Sequence, residues 1–239
     1  MAGSLMRFLR RMRHFKKGKL SFSQSGEDVI VDSLFTALGL RELNYLDIGS
    51  HDPVKLSNTY YFYLKGGSGV LVEPDPNLFP RLQRARRRDT CLNAAVSIDG
   101  TRGRRPFYLM RSSTLNTFSK AEAMRCAAMG EPILREIEVD TLPVSVVLEE
   151  HFASRPLHFL SLDVEGVDLD IIRSIDFARW RPWVMCVETI TFDADRQRQR
   201  KRSEIIEHLT AQDYLVYADT YINTVFVDRR IWHSAPASR

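Results

Sequence analysis

The sequence predicts an α/β fold built on a mostly parallel sheet, and three observations carry that reading. Short apolar runs of strand length alternate with helical stretches through the first half of the chain. The connections between them are short, which suits right-handed crossovers. An acidic residue closes each of the first two strands, in Tyr45-Leu46-Asp47-Ile48-Gly49-Ser50-His51-Asp52-Pro53 and in Val70-Leu71-Val72-Glu73-Pro74.

The elements follow in order. Gln24-Ser25-Gly26-Glu27-Asp28 precedes an apolar run that stops at Gly39, giving a helix with acids in its first turn and a glycine stop. Strand one covers about 45–48, a helix about 57–65, and strand two 69–73 beyond Gly66-Gly67. A helix over 76–88 has proline early in it, where its missing N–H does no harm. Strand three is read over 90–96. Residues 99–140 break the alternation and read as an insertion, with a short strand at 106–110, a helix at 117–129 and an extended segment at 134–139. A helix near 143–152, strand four at 157–163, a helix from Gly166 to about 175 and strand five at 183–188 resume the pattern. A polar helix is expected over 197–211. Two closing strands, 214–217 and 223–228, are joined so tightly that they must be antiparallel. The charge run Arg196-Gln197-Arg198-Gln199-Arg200-Lys201-Arg202 reads as a solvated helix start, or else as a landing site for an anionic ligand.

A chain of 239 residues, 44% hydrophobic and 27% charged, can bury one substantial core, and a single main domain is expected. No run reaches the roughly 18–20 apolar residues of a bilayer span, and no secretory leader is evident. Cys91, Cys126 and Cys186 lack metal or disulfide spacing and read as reduced thiols of a cytoplasmic protein. Residues 1–19 hold seven Lys or Arg and no acid; set against the total of +4, this leaves −3 for the rest. A basic surface for nucleic acid is therefore not expected on the domain. In the arm, Leu5, Phe8, Leu9, Met12 and Phe15 recur at helical spacing beside the cationic face. Residues 1–22 are read as a basic amphipathic arm. Peripheral contact with an anionic membrane is one expectation for it, and a frayed terminus or a helix docked on the domain is the other.

In open α/β sheets ligands bind outside the carboxyl ends of the strands, and a carboxylate ending the second strand suits a ribose diol, which offers donors to an acceptor-only partner. Glu73 is that candidate. Asp47 would repel a pyrophosphate, and only one glycine of G-x-G-x-x-G is present, so a dinucleotide fits poorly. S-adenosylmethionine has no phosphate, and its ribose, ammonium and sulfonium all accept acidic neighbours.

Five pieces stand in one order: Ser23-Gln24-x-Gly26-Glu27-Asp28, Leu46-Asp47-Ile48-Gly49-Ser50-His51-Asp52-Pro53, Ser57-Asn58-Thr59, Val72-Glu73-Pro74-x-Pro76 and Leu162-Asp163-Val164-Glu165-Gly166. Together they resemble the FkbM family of S-adenosylmethionine-dependent methyltransferases, over about residues 23–228. The resemblance implies the Rossmann-like, three-layer class I methyltransferase fold, with a seven-stranded sheet whose last strand is antiparallel. It also implies a methyltransferase domain over 23–239 and O-methylation of a hydroxyl on a sugar, glycan or glycosylated small molecule. A lipid-linked sugar acceptor would account for the cationic arm. On the same resemblance, Asp47, Gly49 and Ser50 would underlie the methionyl part of the cofactor and Glu73 would hold the ribose. Asn93 and Ala94 would flank the adenine, and Asp163 and Glu165 would stand beside the transferred methyl.

Methyl transfer from a sulfonium is an in-line displacement, so placing the nucleophile and removing its proton are the enzyme's main tasks. Asp163, Glu165 and His51 are the candidate bases, His51 because imidazole accepts a proton near neutrality. Asp163 and Glu188 end neighbouring strands and are candidate ligands for Mg²⁺. The competing readings are a fold retained for cofactor binding or interaction without turnover, and methylation of a protein or nucleic-acid nitrogen.

Overall fold

Strict alternation along the strands sorts the core into two layers. Leu46, Ile48, Val70, Val72, Leu160, Leu162, Met185 and Val187 face one side of the sheet, while Tyr45, Leu71, Phe159, Val184 and Cys186 face the other. Burial on both faces is what makes these strands nearly continuous apolar runs in the sequence. In the computed structural model, residues 18–164, 166–192 and 199–234 are described.

The strands are β1 (Asn44–Ile48), β2 (Ser68–Val72), β3 (Thr90–Leu92), β4 (Ala95–Ser97), β5 (Gly103–Met110), β6 (Ile133–Pro143), β7 (Phe159–Leu162), β8 (Val184–Glu188), β9 (Ile190–Phe192), β10 (Gln199–Lys201), β11 (Tyr214–Asp219) and β12 (Asn223–Asp228). The helices are α1 (Glu27–Ala37), α2 (Tyr60–Leu64), α3 (Phe79–Ala85), α4 (Lys120–Ala128), α5 (Val144–Phe152), α6 (Asp168–Arg173), α7 (Ser203–Ala211) and α8 (Arg229–Ser234). The main sheet has seven strands in the order β3-β2-β1-β7-β8-β12-β11. β1, β2, β3, β7 and β8 run parallel; β12 is antiparallel to both β8 and β11. The antiparallel strand is thus last in sequence but sits one place in from the edge. Helices α5, α6 and α7 cover the first core layer, and α1, α2 and α3 the second. The chain winds outward from β1 through β2 to β3, then returns to β1's other side at β7, so the direction reverses at β1.

Two element expectations are corrected. Residues 90–96 do not form one strand: pairing with β2 stops at Leu92, and Ala95–Ser97 joins a second sheet of order β4-β6-β5. The break falls at Asn93, whose side-chain amide donates to the carbonyls of Glu73 (2.9 Å) and Pro74 (3.2 Å), taking the place of further backbone pairing. The helix expected from 197 starts at Ser203; Gln199–Lys201 pairs with β9 instead, and Arg202 N–H extends the hairpin onto Thr189 O at 2.7 Å. Helix α8, not foreseen, begins after Asp228, whose Oδ1 accepts the Arg230 N–H in the manner of a helix cap. β5 and β6 form a long antiparallel pair, linked by a 3₁₀ turn at Ser113–Leu115 and helix α4. None of the three cysteines is in a disulfide, and among the described residues no helix is long and apolar enough to cross a membrane. The basic arm up to residue 17 lies outside the described residues.

Candidate active site

The alternation that builds the core also builds the site. On the α1–α2 side of the sheet, the positions that follow Tyr45, Leu71, Phe159 and Cys186 by two residues are Asp47, Glu73, Ser161 and Glu188, with Asp163 two beyond Ser161. All five line one cleft along the carboxyl edge, together with Gly49, Ser50 and His51. Gln24, Ile222 and Asn223 close its β12 end.

Asp47 is buried at the end of β1, and its Oδ2 accepts the Thr59 hydroxyl at 2.6 Å. Burial drives its carboxyl upward, opposed by that hydrogen bond and by the charge of Arg86. Gly49 follows in the left-handed region at φ +83°, where a Cβ would stand 1.9 Å from the carbonyl oxygen of Asp163. Only glycine lets β1 and β7 leave the sheet this close together. The Ser50 hydroxyl donates to Asp47 O at 2.8 Å, and the N–H groups of Gly49 and Ser50 both donate to Val72 O.

Glu73 is buried, with each carboxylate oxygen accepting one backbone N–H: Oε2 from His51 and Oε1 from Asp75, both at 2.8 Å. A carboxylate offers about four lone-pair sites, so acceptor capacity for two hydroxyls remains. Burial pushes this carboxyl up to about 7, against those two hydrogen bonds. His51, at φ +46°, has its ring Nε2 hydrogen-bonded with the Ser113 hydroxyl at 2.8 Å, and burial lowers its pKa. Its imidazole is therefore engaged with the second sheet, at the Glu73 end of the cleft.

Asp163 is partly buried, and its carboxyl makes no hydrogen bond among the described residues; burial, then the negative charges of Asp168, Asp47 and Glu27, push it upward. Glu188 is buried on the neighbouring strand. Among the described residues no three metal-ligating side chains come together, at Asp163 and Glu188 or elsewhere. Glu165 lies outside the described residues. Asn93 is exposed and Ala94 buried, and neither lines the cleft.

Behind Asp47 lies a buried polar network. Arg86, fully buried, pairs with Asp89 at 2.8 Å and donates to Tyr45 Oη, Thr59 Oγ1 and Pro53 O, each at 3.1 Å. Tyr45 donates in turn to Asp89 at 2.8 Å, and Gly69, whose missing side chain makes room for the Tyr45 ring, gives Asp89 its N–H. Thr59 thereby links the Arg86 guanidinium to the cleft carboxylate. Asn58 reaches the cleft as well, with Nδ2 on Ser161 Oγ at 3.2 Å and its buried Oδ1 without a partner among the described residues. Sequence reasoning placed Asn58 and Thr59 in a motif without roles and passed over Arg86, which sits in the arginine-rich run 84–88.

An open, doubly wound sheet with an acid-lined crevice at its switch point defines an α/β protein whose ligand cleft lies at the carboxyl edge of the sheet. The sequence matches the methyltransferase FkbM domain over residues 47–216, well over half the chain, and the protein belongs to that family of methyltransferases. Comparison with curated proteins gives no match. Among solved structures, a TehB-like SAM-dependent methyltransferase from Corynebacterium glutamicum aligns at TM-score 0.43 and 8% identity, covering 95% of this chain and 100% of that one. An O-methyltransferase from Bacillus cereus, in complex with SAH, aligns at 0.42 and 10%, covering 94% and 89%. A precorrin-6y C5,15-methyltransferase from Geobacter metallireducens aligns at 0.42 and 13%, covering 87% and 90%.

Proposed function

We propose that this protein transfers a methyl group from S-adenosylmethionine to a hydroxyl of a sugar, glycan or glycosylated small molecule. The observation that carries the cofactor assignment is the cleft's charge. Asp47, Glu73, Asp163 and Glu188 line it, and no Lys or Arg does among the described residues. Such a wall suits a cationic, phosphate-free nucleoside and rejects a nucleotide.

S-adenosylmethionine, when bound, supplies a methyl already activated on a sulfonium. Glu73 has acceptor sites left for the two ribose hydroxyls, and Asp47 and the Asn58 amide stand toward the amino-acid portion. Asp163, raised by burial and by its acidic neighbours, is poised to take the proton of an acceptor hydroxyl near neutral pH. The hydroxyl as acceptor rests on the family resemblance; the sugar class is supported by the same resemblance, and a lipid-linked form by the cationic arm.

Calorimetry and labelled transfer test the two halves separately. Glu73→Ala removes hydrogen bonds to an ionised acceptor, a loss of roughly 1.5–3 kcal/mol, and should weaken S-adenosylhomocysteine binding about ten- to a hundredfold. Wild-type affinity in this variant would show that the ribose is elsewhere. Asp163→Asn should keep cofactor affinity and slow transfer of labelled methyl to a glycan extract; a matching fall in both makes Asp163 a binding group instead.

A further inference from the structure

We infer that the base of the bound nucleoside is held by the connection between β5 and α4, residues 113–118, and not by the end of β3. The inference rests on the cofactor reading above and fixes which part of the chain selects the purine.

Along the carboxyl edge the cleft passes Asn223, Glu188, Asp163, Asp47 and Glu73, following the strand order from β12 to β2. The next strand is β3, but its chain leaves the sheet after Leu92 and enters the second sheet at Ala95. Asn93 spends its amide on the Glu73 and Pro74 carbonyls, and no residue of this turn lines the cleft. The wall beyond Glu73 and Pro74 comes instead from β5 and the connection after it: Phe107, Leu115 and Phe118, with the Ser113 and Thr114 hydroxyls.

That wall is fastened to the same two turns that hold Glu73. His51 and Asp75 give their N–H groups to the Glu73 carboxylate. The His51 ring then takes Ser113 at 2.8 Å, and Asp75 Oδ2 accepts the Asn116 amide at 2.9 Å. Asn116 Oδ1 accepts the Met110 N–H, which ties the turn back to β5. A ribose on Glu73 therefore has the 113–118 connection at a fixed place beside it. Leu115 and Phe118 offer an apolar surface to a flat aromatic base, with hydroxyls at its rim, and the buried Phe107 ring backs Phe118 at 4.6 Å between centroids.

Two probes separate base from sugar: S-adenosylhomocysteine, and S-ribosylhomocysteine, which keeps the ribose and the amino acid but has no base. The wild-type protein should bind the first more tightly. Leu115→Ala and Phe118→Ala should each weaken it about tenfold or more, the usual effect of removing an apolar or stacking partner of a base, and leave the second unchanged. Equal weakening of both probes, or no change in either, overturns the inference. A measurement on the unaltered protein stands beside this. An 8-azido derivative of S-adenosylhomocysteine, irradiated and mapped by peptide mass spectrometry, should label residues 107–118, and labelling at 91–95 overturns the inference while leaving the cofactor reading intact. Failure of the wild-type protein to bind either probe removes the cofactor reading and this inference together.

Discussion

Glu73 has a titration that should be visible in binding. Its carboxyl is pushed by burial to about 7, yet it must be ionised to accept two ribose hydroxyls. Affinity for S-adenosylhomocysteine should therefore fall as pH drops below about 7, by up to about tenfold per unit, and Glu73→Gln should bind weakly with that dependence lost. Calorimetry between pH 5.5 and 8.5, about one and a half units either side of the shifted value, reads both. The sign for folding is opposite. The folded, ligand-free protein holds a proton on Glu73 above the ordinary 4.5, so this group's contribution to stability is full below 4.5 and is lost as pH rises through about 7. Asp47 and Glu73 were legible in the sequence because each closes an apolar run. Asn58, Thr59 and Arg86 were not, because their roles depend on partners far along the chain, Ser161 for Asn58 and Thr59 for Arg86, that no local pattern reveals.

At the scale of elements, α2 and the chain after α3 are tied to β1 through Thr59, which stands between Arg86 and Asp47. Thr59→Val keeps the shape and removes the hydroxyl. Cofactor affinity should fall about tenfold, and the melting temperature by several degrees, since roughly 1–3 kcal/mol is lost when a buried charged group loses such a partner. Thr59→Ser should restore both; a Val variant with normal affinity would make the link structural only. The main strands were readable because burial on both faces leaves a continuous apolar signature. The split of 90–96 was hidden, since apolar residues run on through Ala94, Ala95 and Val96 while their sheet changes, and periodicity reports burial without reporting the partner. The hairpin of β9 and β10 was hidden for a related reason: its second strand is Gln-Arg-Lys, which carries no apolar signal.

Across the whole molecule, the parallel core and the antiparallel final strand followed from chain order alone, whereas the small second sheet did not, because its strands pair across a stretch whose own pattern is mixed. With the base on the 113–118 connection, the proposed acceptor would enter from the end of the cleft closed by Gln24 and Ile222. Leu56 is exposed and held at φ +58°, a costly conformation for leucine that is met most often at working surfaces. If residues 1–19 bring the enzyme to a lipid-linked acceptor, their deletion should abolish sedimentation with anionic liposomes while turnover on a soluble acceptor persists; unchanged sedimentation removes the membrane role.

Glu27 opens α1, yet two of its partners are Thr220 (2.7 Å) and Asn223 (3.0 Å), almost two hundred positions later. Burial works against its charge, and these hydrogen bonds, with the N–H of Ser25, keep it ionised below the ordinary range. During synthesis Glu27 therefore has only water and its own turn as partners until β11 and β12 are made. Ile222 and Asn223 of that hairpin complete the wall beside Gln24, so a chain stopped short of them would leave this side of the crevice open.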